Sequence, residues 1–186
     1  MLGGRVQERL GEDPHAYKLP DGRFAWRRAL RSFARFWQAN GEILASRMPY
    51  PEAGPQLVLM AFLQALVNGT GYIDREYGIG SGRVDLLVRY PYKRPDGNRS
   101  VQRRAMEIKI WRKGRENPLK QGLSELDDYL SRLRLSKGTL VIFDARSPNS
   151  AVERARRGMS AERRDVHVRF EDTKTRKGRA VRVIWA

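Results

Sequence analysis

Arg103 to Arg112 reads RRAMEIKIWR, and Gly82 to Tyr90 reads GRVDLLVRY. Side chains alternate faces along an extended strand, so Met106, Ile108 and Ile110 share one face while Glu107 and Lys109 share the other. Between the two stretches, Arg94-Pro95-Asp96-Gly97-Asn98 carries strong turn chemistry, because proline presets φ and glycine or asparagine accepts positive φ. Folding back about Asp96 makes an antiparallel hairpin in which residues summing to about 192 face each other. Asp85 and Glu107 are such a pair, so Asp85, Glu107 and Lys109 are expected to converge unless a bulge shifts the register.

Two carboxylates and an ammonium at one strand end suit a hard cation, Mg²⁺ or Mn²⁺, which takes oxygen ligands and keeps waters. Such an ion lowers the pKa of a bound water and offsets charge on phosphorus, with Lys109 orienting the water or contacting the phosphate. That layout suits phosphodiester hydrolysis. The bland alternative is an exposed Glu-x-Lys cross-strand pair, common in a chain with 31% charged residues.

With 37 basic and 21 acidic residues the net charge is +16 over 186 residues, which points to a polyanionic partner, nucleic acid first. Arginine outnumbers lysine 29 to 8, favouring forked phosphate contacts. No cysteine is present, which excludes disulfides and thiolate sites, and with His15 and His167 as the sole histidines a zinc site is not expected. No signal-peptide core and no long apolar run appears, so a cytoplasmic protein without membrane association is expected.

Residues 1 to 22 read as a polar leader, followed by an amphipathic helix from Phe24 to about Ala45. Trp26, Leu30, Phe33 and Trp37 form its apolar stripe, and Arg27, Arg28, Arg31 and Arg35 its other side. Three prolines and a glycine in Arg47 to Gln56 place a boundary near residue 50, so residues 1–50 read as a helical extension and 51–186 as the main domain. Leu57 to Val67 is apolar nearly all round and is expected to be buried against a sheet; a buried Gln64 must find hydrogen-bond partners, either as a structural residue or as a supporting residue that reaches the site. Tyr72 to Tyr77 reads as a first strand with Glu76 near its end, and the glycines of residues 78–82 as a hairpin turn rather than a phosphate loop.

Asn117 to Leu135 shows a Leu119, Leu123, Leu126, Leu130, Leu133 stripe, with Asn117 able to cap it. Thr139 to Phe143 is a compact apolar strand ending at Asp144, and strands at Val166 to Phe170 and Val181 to Trp185 flank a basic tip, Thr173 to Gly178. Arg83, Arg112 and Lys113 at the ends of the site strands, with Lys174, Arg176 and Lys177 of that tip, are the expected nucleic-acid contacts; an exposed basic turn is the simpler reading of the tip.

The order helix, three strands, helix, strand, with Asp and Glu-x-Lys on neighbouring strands, resembles the PD-(D/E)XK nuclease superfamily. Ala61-Phe62-Leu63-Gln64, Asn68-Gly69, Gly82-Arg83-x-Asp85-Leu86, Glu107-x-Lys109 and Phe143-Asp144 look like the C-terminal domain of bacterial AAA-ATPase-like proteins. The resemblance covers about half the chain, Glu52 to Asp144. It implies a restriction-endonuclease-like α/β core, a central mixed sheet flanked by the Leu57 and Leu119 helices. It implies Asp85 and Glu107 as metal ligands, Lys109 as the catalytic lysine and Glu76 as a further metal-side acid. Such families place a Gln and a Tyr four residues apart on the helix after the lysine strand; here Tyr129 is in place, Glu125 stands at the Gln position and Gln121 lies one turn earlier. A partner ATPase domain or subunit is also implied, since no Walker motif is present in this chain. The rival expectation is a silent nucleic-acid-binding or docking module with a nuclease-derived fold.

Overall fold

Among the described residues six strands order as β1-β2-β3-β4-β6-β5 in one mixed sheet. They are β1 Tyr72–Ile79, β2 Gly82–Lys93, β3 Arg99–Arg112, β4 Lys137–Ala145, β5 Arg169–Lys174 and β6 Ala180–Trp185. The helices are α1 Trp26–Ser46, α2 Gly54–Val67 and α3 Leu119–Arg132, preceded by a 3-10 turn at Pro14–Tyr17. The computed structural model describes residues 14–46, 53–79, 82–146 and 168–186. The expected strand at Val166 therefore starts outside the described residues and is seen from Arg169; the boundary near residue 50 and the turn residues 80 and 81 also lie outside them. Among the described residues no helix is long and apolar enough to cross a membrane.

The β2–β3 hairpin takes the expected register, with Leu86 opposite Met106 and Lys93 opposite Arg99. The α3 crossover then makes β4 parallel to β3, and β6 in turn runs parallel to β4 with β5 antiparallel at the edge. Strict alternation sorts β3 and β4 between two cores. Met106, Val141 and Phe143 face α1 and α2, whereas Ala105, Leu140 and Ile142 face α3.

The α1 stripe is buried as its spacing predicts, Leu30 and Phe33 at 0% exposure, and Trp37 meets Phe143 edge-on at 4.9 Å. This helix thus belongs to the main core rather than standing off it as an extension. Nor is the chain before it wholly a leader: Tyr17 and Phe24 are buried and stack, and Lys18 bridges to Phe24. Aromatic mass, not polar composition, decides the fate of that segment.

On α2 the expectation of all-round burial fails. Val58, Leu59, Phe62, Leu63, Leu66 and Val67 are buried between α1 and the sheet, while Ala61, Gln64 and Asn68 form an exposed ridge. Gln64 therefore faces solvent and needs no buried partner. Helix α3 lies close on β4 because Gly122 has no side chain; a Cβ there would come within 2.7 Å of Leu140 Cδ1. Asn117 Oδ1 accepts the Leu119 N–H at 2.9 Å at its start.

Candidate functional site

The site forms where β2 breaks its own alternation. Val84 packs on the α3 side with Leu87, yet Leu86 packs on the opposite side with Val88, so the strand slips phase by one residue at Asp85. Both ladders lapse there. Arg75 pairs with Leu86 and Tyr77 with Val84, leaving Glu76 and Asp85 out of the β1–β2 ladder, and Glu76 adopts φ 48°. On the other side the β2–β3 ladder ends at Leu86 and Met106, so Asp85 and Glu107 are not the directly opposed pair expected. Instead the Asp85 carboxylate turns in and accepts the Ile108 backbone N–H at 2.7 Å through Oδ2.

Glu107 and Lys109 project from β3 toward α3, as alternation requires. Glu107 is 4% exposed, and its Oε1 accepts from Lys109 Nζ at 2.9 Å. Lys109 also donates to Glu125 Oε2 of α3. Gln121 Nε2 donates to the other oxygen of Glu125 at 2.8 Å. Tyr129, one turn on, packs against Gly82, where a Cβ would lie 2.8 Å from Tyr129 Cε1. The expected Gln position is thus filled by an acid that tethers the lysine, with Gln121 steadying that acid.

The electrostatics follow from burial and like charge. Burial, reinforced by the neighbouring Asp85 charge, pushes the Glu107 carboxyl up to about 8 despite its bond to Lys109. Burial also raises Asp85, against the pull of the Ile108 N–H and Lys109. Burial disfavours the Lys109 charge, but its bonds to Glu125 and Glu107 outweigh that and hold its pKa above the usual value. For Glu125 burial is likewise outweighed, by Lys109 and Gln121, and its pKa falls. Burial next to Glu107 and Glu125 raises Tyr129.

The remaining expected residues lie further out. Glu76 is exposed and ion-paired to Arg83 at 3.3 Å and Arg75 at 3.7 Å. Among the described residues no three acidic or histidine side chains are placed together to hold a metal ion. Arg83 is exposed on the rim, Arg112 is half-buried at the end of β3, and Lys113 is exposed beyond it. Asp144, one residue before the end of β4, is paired to Arg146 at 2.7 Å rather than to the site. At the basic tip Arg176 is exposed, but Lys177 pairs with Asp128 at 3.3 Å, and Arg179 reaches the buried Asp127 at 2.7 Å. Lys174 turns instead toward the opposite face of the sheet, where it lines a cavity.

The donor set fits a hard divalent cation. Glu107 Oε2 is buried with no hydrogen-bond partner among the described residues, and an orphaned carboxylate oxygen is costly unless a cation or water meets it. Asp85, whose Oδ2 is used by the backbone, lies beside it as its electrostatic neighbour. Two carboxylates without a third suit an ion that keeps several waters, as Mg²⁺ does. No model of a protein family matches this chain, and no curated protein or solved structure matches it either.

Proposed function

We propose that this chain is a metal-dependent nuclease of the PD-(D/E)XK type, with a restriction-endonuclease-like core, that hydrolyses phosphodiester bonds of DNA. The observation that carries the reading is the buried, unpartnered Glu107 Oε2 beside Asp85, with Lys109 on the same face of β3. Asp85 and Glu107 are the residues that hold Mg²⁺ or Mn²⁺. A divalent ion bound there supplies Lewis-acid charge and a more acidic water.

The chain's own groups do the rest. The Ile108 N–H pins one Asp85 oxygen, so the other is left to point at the ligand position. Glu107 and Glu125 hold Lys109 as an ammonium between strand and helix, placed to donate a hydrogen bond to a phosphoryl oxygen and orient the attacking water. Arg83, Lys113 and the net charge of +16 favour approach of a polyanionic strand. A partner ATPase, as the resemblance implies, would deliver that strand.

Isothermal titration of Mg²⁺ and Mn²⁺ into wild type and Asp85→Ala, with plasmid nicking in the same buffers, tests the reading. Metal binding lost in the variant together with nicking supports it. Nucleic-acid binding that is steeply salt-dependent, without metal binding or cleavage, would replace it with a silent binding module.

A further inference from the structure

A cavity of about 420 Å³ opens on the face of the sheet opposite Glu107 and Lys109, between α1, the start of β4 and the β5–β6 hairpin. Arg27, Arg104, Lys137, Lys174 and Arg182 line it against a single described carboxylate, Asp172. That carboxylate is already taken, accepting from Arg182 Nε at 2.8 Å and Nη2 at 2.6 Å. Arg104 stands three residues before Glu107 on β3, so about 10 Å along the strand and on its other face.

Arg104 is the informative member. Its Nε is buried and has no hydrogen-bond partner among the described residues, although the residue as a whole is half-buried. Burial, with Arg23 nearby, pushes its pKa down, which is the cost of an uncompensated cation. A half-buried guanidinium with an unpartnered Nε is stabilised where an anion meets it, and its planar fork matches phosphate oxygens. Trp26, Ala180 and Val181 lie beside the cations, with Thr139 and Thr173 also in the wall. A volume in the range of small-molecule sites, lined by both cationic and apolar residues, fits a compact organic phosphate better than a continuous strand.

We propose that this cavity is a binding site for the phosphate group of a small phosphorylated ligand, of nucleoside monophosphate size, with Arg104 as its central anchor and Lys174 at its rim. The site is separate from the Asp85–Glu107 centre and does not depend on that centre being catalytic.

Calorimetric titration and thermal melts of the full chain in chelating buffer provide the test, using inorganic phosphate, adenosine monophosphate and a short oligonucleotide without terminal phosphates. Both small phosphates are expected to bind and to raise the melting temperature, the nucleotide binding more tightly. Arg104→Met should weaken them about tenfold, as for loss of one charge-assisted pair, and Lys174→Gln about threefold. Glu107→Gln should bind as wild type does. Failure of both small phosphates to bind, or equal binding by wild type and Lys174→Gln together with Arg104→Met, would overturn the site. Oligonucleotide binding that is lost in the two variants, with the nucleotide inert, would overturn the small ligand in favour of a strand. Loss of cleavage in Glu107→Gln with phosphate binding intact separates this site from the nuclease reading.

Discussion

Asp85 Oδ2 accepts the Ile108 backbone N–H at 2.7 Å at the one place where β2 leaves the ladders of both its neighbours. The carboxylate is therefore a clasp between strands as well as a candidate ligand. Asp85→Asn retains an oxygen for that N–H and is expected to fold with nearly wild-type stability. Asp85→Ala orphans the N–H and should cost about 1–2 kcal/mol. Urea denaturation measures the difference, and both variants should lose metal binding in titration calorimetry.

The Glu107 carboxyl, raised from 4.5 to about 8 by burial and the Asp85 charge, links stability to pH. Between those values the native state keeps a proton that the unfolded chain has released. In chelating buffer, stability should thus fall as pH rises from about 4.5 to about 8, and level off beyond. Glu107→Gln should flatten that slope and raise the denaturation midpoint at alkaline pH. Urea midpoints across the pH range check it; parallel profiles for the two proteins would refute it.

Lys109 is held by two acids from different elements, Glu107 on β3 and Glu125 on α3. Lys109→Ala should abolish metal-dependent cleavage while metal still binds. Glu125→Ala releases the lysine from the helix and should slow single-turnover cleavage about tenfold, the scale of one charge-assisted bond. Gln121→Ala, which acts only through Glu125, should have a smaller effect.

Asp127, 4% exposed on α3, is bonded to Arg179 at 2.7 Å and ties the β5–β6 hairpin to the helix. Arg179 also reaches Ser131 at 3.1 Å. Asp127→Ala leaves the guanidinium half-buried and unpaired, and should cost about 2–3 kcal/mol in urea denaturation. Hydrogen exchange should show the loss concentrated in the amides of the hairpin, with those of β2 and β3 unchanged.

Local chemistry carried much of the architecture into the sequence itself. The Pro95–Asn98 turn and the alternation of Met106, Ile108 and Ile110 against Glu107 and Lys109 set the β2–β3 register, because a hairpin joins residues close in the chain. The aromatic stripe of α1 and the leucine stripe of α3 announced their buried faces by helical period alone. The α/β class followed from these elements. What tertiary structure alone decided are the meetings between distant segments. β4 pairing with β6, Lys109 reaching Glu125, Asp127 reaching Arg179, and Arg104 Nε left without a partner among the described residues all depend on how elements dock. The phase slip at Asp85 is of the same kind, since it arises from the conformations of two adjacent strands together. So is the exposure of Gln64: an apolar helix is covered only where α1 and the sheet reach it, and its third side was left to solvent. Periodicity is a property of one segment, whereas the partner of each charged group is a property of the packed whole.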